Sequence, residues 1–305
     1  MRWDDFRRSD NVEDDRGGGG GGFGGGGIGI PVGGGGLGIG TIVVLGLIGW
    51  ALGIDPSVLI GGAELVNSGT HYQQPSQPSA RQTGAPKDQM GDFVAAILGN
   101  TEDTWSAIFK SSGQQYRVPR LRLYAGAVQG GCGFAQAAMG PFYCPNDRRI
   151  YLDTSFFRDI RVRFRGCNGK ACEFAEAYVV AHEVGHHVQN LLGILPKAQS
   201  AQRASGSRAE ANRIQVMVEL QADCLAGIWA HHSNQRWNSI EPGDVEAALQ
   251  TAAAIGDDRL QQQSRGYIVP DAFTHGSSAQ RQRWFMIGLK DGKVSSCNTF
   301  AAASL

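Results

Sequence analysis

The sequence predicts an α+β fold on three observations. A strand-like alternation over "FYCPNDRRIYLD", residues 142–153, lies upstream of two long helical patterns at 173–192 and 210–232. Shorter helical patterns follow over 241–264 and 276–290. Ahead of all these, an uncharged run begins at Gly17 and ends in "LGIGTIVVLGLIGWALGI", residues 37–54, a length that suits one bilayer-spanning helix.

The elements divide the chain in order. Residues 1–36 combine charges of both signs with the tract "GGGGGGFGGGGIGIPVGGGG", which can neither fix a backbone nor bury a core, so they read as a disordered segment. The apolar run at 37–54 starts too far from the N-terminus for a signal peptide and runs into Asp55 and Pro56, which makes it an uncleaved transmembrane helix. Arg2, Arg7, Arg8 and Arg16 precede it and no basic residue follows until Arg81. That asymmetry places the short end in the cytoplasm. The expected localisation is the inner membrane, single-pass, with the large C-terminal part facing the periplasm or exterior. Residues 55–90, rich in Ser, Gln and Pro after residue 66, form a linker, and a folded domain occupies 91–305.

Charge and cysteines narrow the function classes. With 28 basic and 28 acidic residues the chain has no electrostatic footprint for nucleic acid. The six cysteines form no C-x-x-C pair, which removes zinc-ribbon and thioredoxin motifs, and an even number suits an oxidising compartment. Proximity pairs Cys132 with Cys144 and Cys167 with Cys172, leaving Cys224 for Cys297.

The chemistry concentrates in "VVAHEVGHHVQN", residues 179–190. The helical pattern runs from about Glu173 to Leu192, with Gly193 and Pro196 as stop signals. His182 and His186 then stand about 40° apart on one face, with Glu183 about 60° from His186. Two imidazoles one turn apart arrive already oriented for a zinc ion, and a carboxylate that need not bind the metal can carry protons as general base and acid. His187 points away from His186 and reads as a packing residue. Gln189 and Leu192 replace the glycine and histidine of the metzincin continuation, so a third ligand must come from elsewhere. "EANRIQVMVELQADCLAGIWAHH", residues 210–232, puts Glu219 and Asp223 one turn apart, with Ala222, Ala226 and Gly227 small enough for close helix approach. Glu219 is the natural ligand and Asp223 the acceptor for a histidine ring N–H, with the reverse assignment also open. His231 and His232 read as surface residues.

These stretches, together with "RRSDNVEDDRG" at the start, "GCGFAQAAMGPFYCPNDRRIYLDTSFF" at 131–157 and "THGSSAQRQRWF" at 274–285, resemble the bacterial membrane-anchored neutral zinc metallopeptidases almost end to end. The resemblance implies a zincin-like catalytic domain with a gluzincin-type site, cutting peptide bonds of a peptide or protein substrate with a zinc-activated water. In that family type an edge strand above the motif helix binds the substrate backbone, and 142–153 is placed for that role. A donor for the developing oxyanion is also needed; His275 is the first choice and Tyr267 the second. The partners expected are therefore substrate and, through one span, the lipid bilayer, with no nucleic acid. Two rivals stand beside this reading: an inactive zinc-binding envelope interaction protein, and a metal-assisted hydrolase of non-peptide substrates.

Overall fold

A computed structural model describes residues 1–16, 86, 88–162, 165 and 167–305. Its described part is mixed α and β, with helices dominating. The described residues contain six strands: β1 (Val12–Asp14), β2 (Arg120–Tyr124), β3 (Ala127–Gly130), β4 (Gly133–Gln136), β5 (Phe142–Cys144) and β6 (Arg149–Asp153). Four of them make one sheet in the order β1-β2-β6-β5, parallel except for the β5–β6 pair, while β3 and β4 form a separate hairpin. The single strand expected over 142–153 is thus a hairpin. Pro145, Asn146 and Asp147 turn the chain, and Arg148 takes a positive φ of 56° to complete the reversal.

Helix α1 (Gln89–Ser111) begins at an Asp88 N-cap. α2 (Ser155–Val162) leads to the two long helices, α3 (Cys172–Leu191) and α5 (Arg208–Trp237), which are separated by α4 (Ile194–Ala204). Gly193, at φ 73°, ends α3 as expected, but Pro196 sits inside the first turn of α4 instead of stopping a helix. α6 (Asp244–Ala254), α7 (Asp257–Arg265) and α8 (Ser278–Asp291) complete the domain.

The hydrophobic core lies where α3 and α5 cross, with α1, α6 and α8 around them. A Cβ on Gly185 of α3 would come within 2.9 Å of the Ala222 carbonyl on α5, so only glycine permits this approach. Gly227 serves another contact: its face meets α8, where a Cβ would lie 2.1 Å from the Phe285 carbonyl. Three disulfides join Cys132 to Cys144, Cys167 to Cys172 and Cys224 to Cys297, the pairing expected from proximity.

Residues 1–16 correct the reading of the N-terminus. They are not disordered: Met1, Trp3, Phe6 and Val12 are buried in the same core as α1 and α3, and β1 pairs with β2 from Val12↔Leu121 to Asp14↔Leu123. They belong to one compact unit with the chain from residue 81 onward. The arginines that suggested an orientation have partners in that unit, Arg7 with Glu102 and Asp103, Arg8 with Asp92, and Arg16 with Asp14 and Asp88. Charge counting could not see ion pairs to residues so far along the chain. Residues 17–36 of the expected disordered segment, the expected span at 37–54 and the linker up to residue 85 lie outside the described residues, and among the described residues no helix is long and apolar enough to cross a membrane. A single crossing between β1 and α1 would put two neighbouring strands of one sheet on opposite sides of a bilayer. The single-pass inner-membrane topology is therefore overturned.

The ion pairs of Arg8 and Arg16 that clamp this segment to the domain are expected to weaken in acid. Hydrogen bonds from Arg16 hold Asp14 and Asp88 below the usual carboxylate range, and Arg8 does the same for Asp92. A carboxylate lowered in the folded state contributes stability that is complete above its unfolded pKa, about 3.9, and lost as pH falls through the folded value. Hydrogen exchange should therefore show the amides of Val12–Asp14 losing protection below about pH 4, before the α3–α5 core opens. Protection that persists until the core unfolds would show that apolar packing alone holds the strand.

Candidate metal centre

The motif helix α3 is buried along most of its length, and its polar face meets α5 beside a cavity of about 500 Å³. His182, Glu183, His186, Glu219, His275 and Arg281 all reach that cavity. Met139, Pro141, Phe142 and Phe156 form one apolar wall; Leu195, Ala198 and Val218 form another.

One turn of α3 and one face of α5 bring His182, His186 and Glu219 together. Each offers a ligand atom, and the three atoms lie within 4.8 Å of one another. Glu219 Oε2 stands 3.2 Å from His182 Nε2 and 3.5 Å from His186 Nε2. The opposite ring nitrogens are committed elsewhere: His182 Nδ1 donates to Asp223 Oδ1 at 2.8 Å, and His186 Nδ1 donates to Gln189 Oε1 at 2.9 Å. When the rings are neutral and Nδ1 carries the proton, both Nε2 lone pairs face Glu219. Glu219 is itself oriented by Gln215, whose Nε2 donates to Oε1 at 2.8 Å and leaves Oε2 for the histidines. This donor set, two imidazole nitrogens and one carboxylate oxygen, fits zinc with a coordination position left over.

The carboxylates beside these rings favour positive charge on the imidazoles themselves. Burial works against the charged form of His182, but Asp223 and Glu219 together outweigh it and raise its pKa to about 10. Burial would also raise Glu219, yet His186 and His182 hold it well below the carboxylate range. Glu183 differs. Burial is the dominant influence on its carboxyl and raises its pKa, the two histidines opposing, and its buried Oε2 has no hydrogen-bond partner among the described residues.

Behind the histidine lies a buried polar cluster. Asp223 is fully buried and accepts from Tyr178 Oη at 2.6 Å and from Arg281 Nη2 and Nε, both at 2.9 Å, in addition to His182. Arg281 and His182 hold its pKa down at about 2 against the effect of burial. Sequence reasoning missed Arg281, Tyr178, Gln189 and Gln215. Helical spacing could have found three of them: Tyr178 lies four residues before His182, Gln189 three after His186, and Gln215 four before Glu219. Arg281, on another helix, left no such signal.

The remaining candidates separate. His275 lies at the cavity with its side chain half-exposed, and Asp257 accepts its backbone N–H at 2.5 Å and contacts its Nδ1 at 3.2 Å. Tyr267 is 59% exposed and is not among the cavity residues. His187 is wholly buried, donates from Nε2 to the Arg117 carbonyl at 2.5 Å and accepts from Tyr143 Oη at 3.0 Å; burial lowers its pKa to about 4. It bolts α3 to β5. His231 and His232 bond to the carbonyls of Leu289 and Gly292, so they brace the end of α8 instead of lying free on the surface.

Residues 1–300 match the family model described as "Putative neutral zinc metallopeptidase". The chain is 46% identical over 302 residues to the uncharacterized protein YpfJ of Escherichia coli (strain K12), covering 98% of this chain and 99% of that one. It is 43% identical over 264 residues to the uncharacterized protein Rv2575 of Mycobacterium tuberculosis (strain ATCC 25618 / H37Rv), covering 83% and 85% of the two chains. No solved structure matches.

Proposed function

This chain belongs to the neutral zinc metallopeptidase family, and from that premise we propose that it is a zinc-dependent endopeptidase of the zincin type, with His182, His186 and Glu219 as metal ligands and Glu183 as general base and acid. The observation that carries the reading is the pairing, in one cavity, of three clustered ligand atoms with a buried carboxylate oxygen that has no partner among the described residues. A structural metal site has no use for that fourth group.

When bound, zinc supplies Lewis acidity, polarising a carbonyl and lowering the pKa of a water. Glu183 takes the proton of the attacking water on its free Oε2 and returns it to the leaving amine nitrogen. Its raised pKa favours holding that proton between the two transfers. Asp223 keeps His182 in the tautomer that presents Nε2, and Gln215 keeps Glu219 from turning away. His275, at the cavity and fixed through Asp257, donates a ring N–H to the carbonyl oxygen as it gains charge. The apolar walls receive the flanking side chains of an extended peptide, with β5 as the edge strand beside them.

The deciding experiment measures metal content and cleavage of an unfolded protein by the full chain beside Glu219→Gln and His275→Ala. One zinc per parent chain is expected, with cleavage, weakened zinc retention in Glu219→Gln, and in His275→Ala full retention but a kcat lower by about a hundredfold to a thousandfold. Bound zinc with hydrolysis of esters but never of peptides would favour a non-peptide hydrolase. A folded parent without stoichiometric metal would end the reading.

A further inference from the structure

The two histidines of the cluster are backed differently, and the difference leads to a disulfide. His182 leans on the charged pair of Asp223 and Arg281. His186 leans on a neutral amide, Gln189, which is wholly buried and whose Nε2 donates to the Val218 carbonyl at 2.8 Å and to Gln221 Oε1 at 3.0 Å. Gln221, also buried, donates in turn from its own Nε2 to the backbone carbonyl of Cys297 at 2.8 Å. Every group in this relay uses both ends of its amide, so the orientation of each is set by the next. The relay ends on a residue whose side chain is bonded to Cys224, the neighbour of Asp223 on α5. Besides that bond and the Gln221 contact, the segment that carries Cys297 also meets α5 through Thr299, whose hydroxyl donates to the Met217 carbonyl at 2.7 Å.

Resting on the metal site proposed above, we propose that the Cys224–Cys297 disulfide is a metal-retention device: it fixes the Cys297 carbonyl, which orients Gln221, which orients Gln189, which holds the His186 ring with Nε2 toward the metal. The chain of hydrogen bonds from Cys297 through Gln221 and Gln189 to His186 is not required by packing, since an apolar side chain at 189 or 221 would fill the same buried space without needing partners. Gln189 and Gln221 are positioning residues on this account, and the far end of the C-terminal segment acts on the site without touching it.

A coupling cycle on the full chain tests this. Zinc affinity is measured by competition with a chromophoric chelator for the parent, Gln221→Met, Cys224→Ala with Cys297→Ala, and all three together, and unfolding of each metal-free protein is followed separately. Loss of an outer-shell partner typically costs 10-fold to 100-fold in affinity, so about tenfold is expected for Gln221→Met and for the disulfide-free chain. The combined variant should lose no more than either, because both break one relay. Adding Gln215→Met, which acts on Glu219, should multiply the loss. Zinc affinity within twofold of the parent in Gln221→Met or in the disulfide-free chain overturns the proposal, and so does a combined loss equal to the product of the two. Should the disulfide-free chain fail to fold, Thr299→Val, which loosens the same segment, takes its place under the same criteria. A parent that takes up no zinc sinks the metal site itself, a result distinct from a parent that binds zinc and variants that bind it equally well.

Discussion

Glu183→Gln is expected to remove peptide cleavage while zinc binding stays within a few-fold of the parent. The substitution keeps the shape of the side chain and its place in the cavity, but an amide cannot accept a proton. General acid–base catalysis contributes about 10²- to 10⁴-fold, so kcat should fall by at least that range, about 3 to 5 kcal/mol in barrier height. The buried Glu183 Oε2 has no partner among the described residues to lose, so the fold should tolerate the change, and the unfolding midpoint should stay level or rise. Steady-state rates with metal content measured on the same samples decide the matter. A variant that keeps both metal and rate would place the proton transfer on another group; one that loses metal with rate would make Glu183 a ligand.

The candidate site was legible in the sequence to the extent that helical periodicity reaches. His182, Glu183 and His186 share a face because about 100° per residue puts them there, and Glu219 and Asp223 share one for the same reason. That these two faces meet depended on small residues at the crossing, and Gly185 against Ala222 is the contact that allows it. Gly227 follows the same logic toward a different helix, which composition could not tell apart. The limits appear wherever a partner is distant in sequence. Arg281 reaches Asp223 from 58 residues away, and β1 reaches β2 across more than a hundred. A short charged stretch ahead of a glycine tract has the composition of a tail; only the positions of Glu102, Asp92 and Asp88 turn its arginines into a clamp. The membrane topology failed for that reason. Residues counted as free cytoplasmic charges were already paired within the domain.

Arg281→Met is expected to destabilise the metal-free protein by about 3 to 5 kcal/mol, because it strips the principal counter-charge from a carboxylate buried without solvent contact. For a chain of this size that corresponds to roughly 10 °C in unfolding midpoint. Tyr178 also loses the Arg281 Nη2 contact at 3.2 Å, which adds to the cost. Pairing the change with Asp223→Asn should recover most of the stability, since both charges are then gone and no unpaired one remains buried. Zinc affinity should not recover with it. An amide at 223 can still accept from His182 Nδ1, but it no longer strengthens that ring as a ligand, and a loss of 10-fold to 100-fold is expected. Thermal unfolding and chelator competition on the single and double variants therefore separate two roles that the geometry superimposes. If stability and zinc affinity return together in the double variant, the cluster serves the fold alone; if stability returns and affinity stays low, the charge on Asp223 is held in the core for the sake of His182.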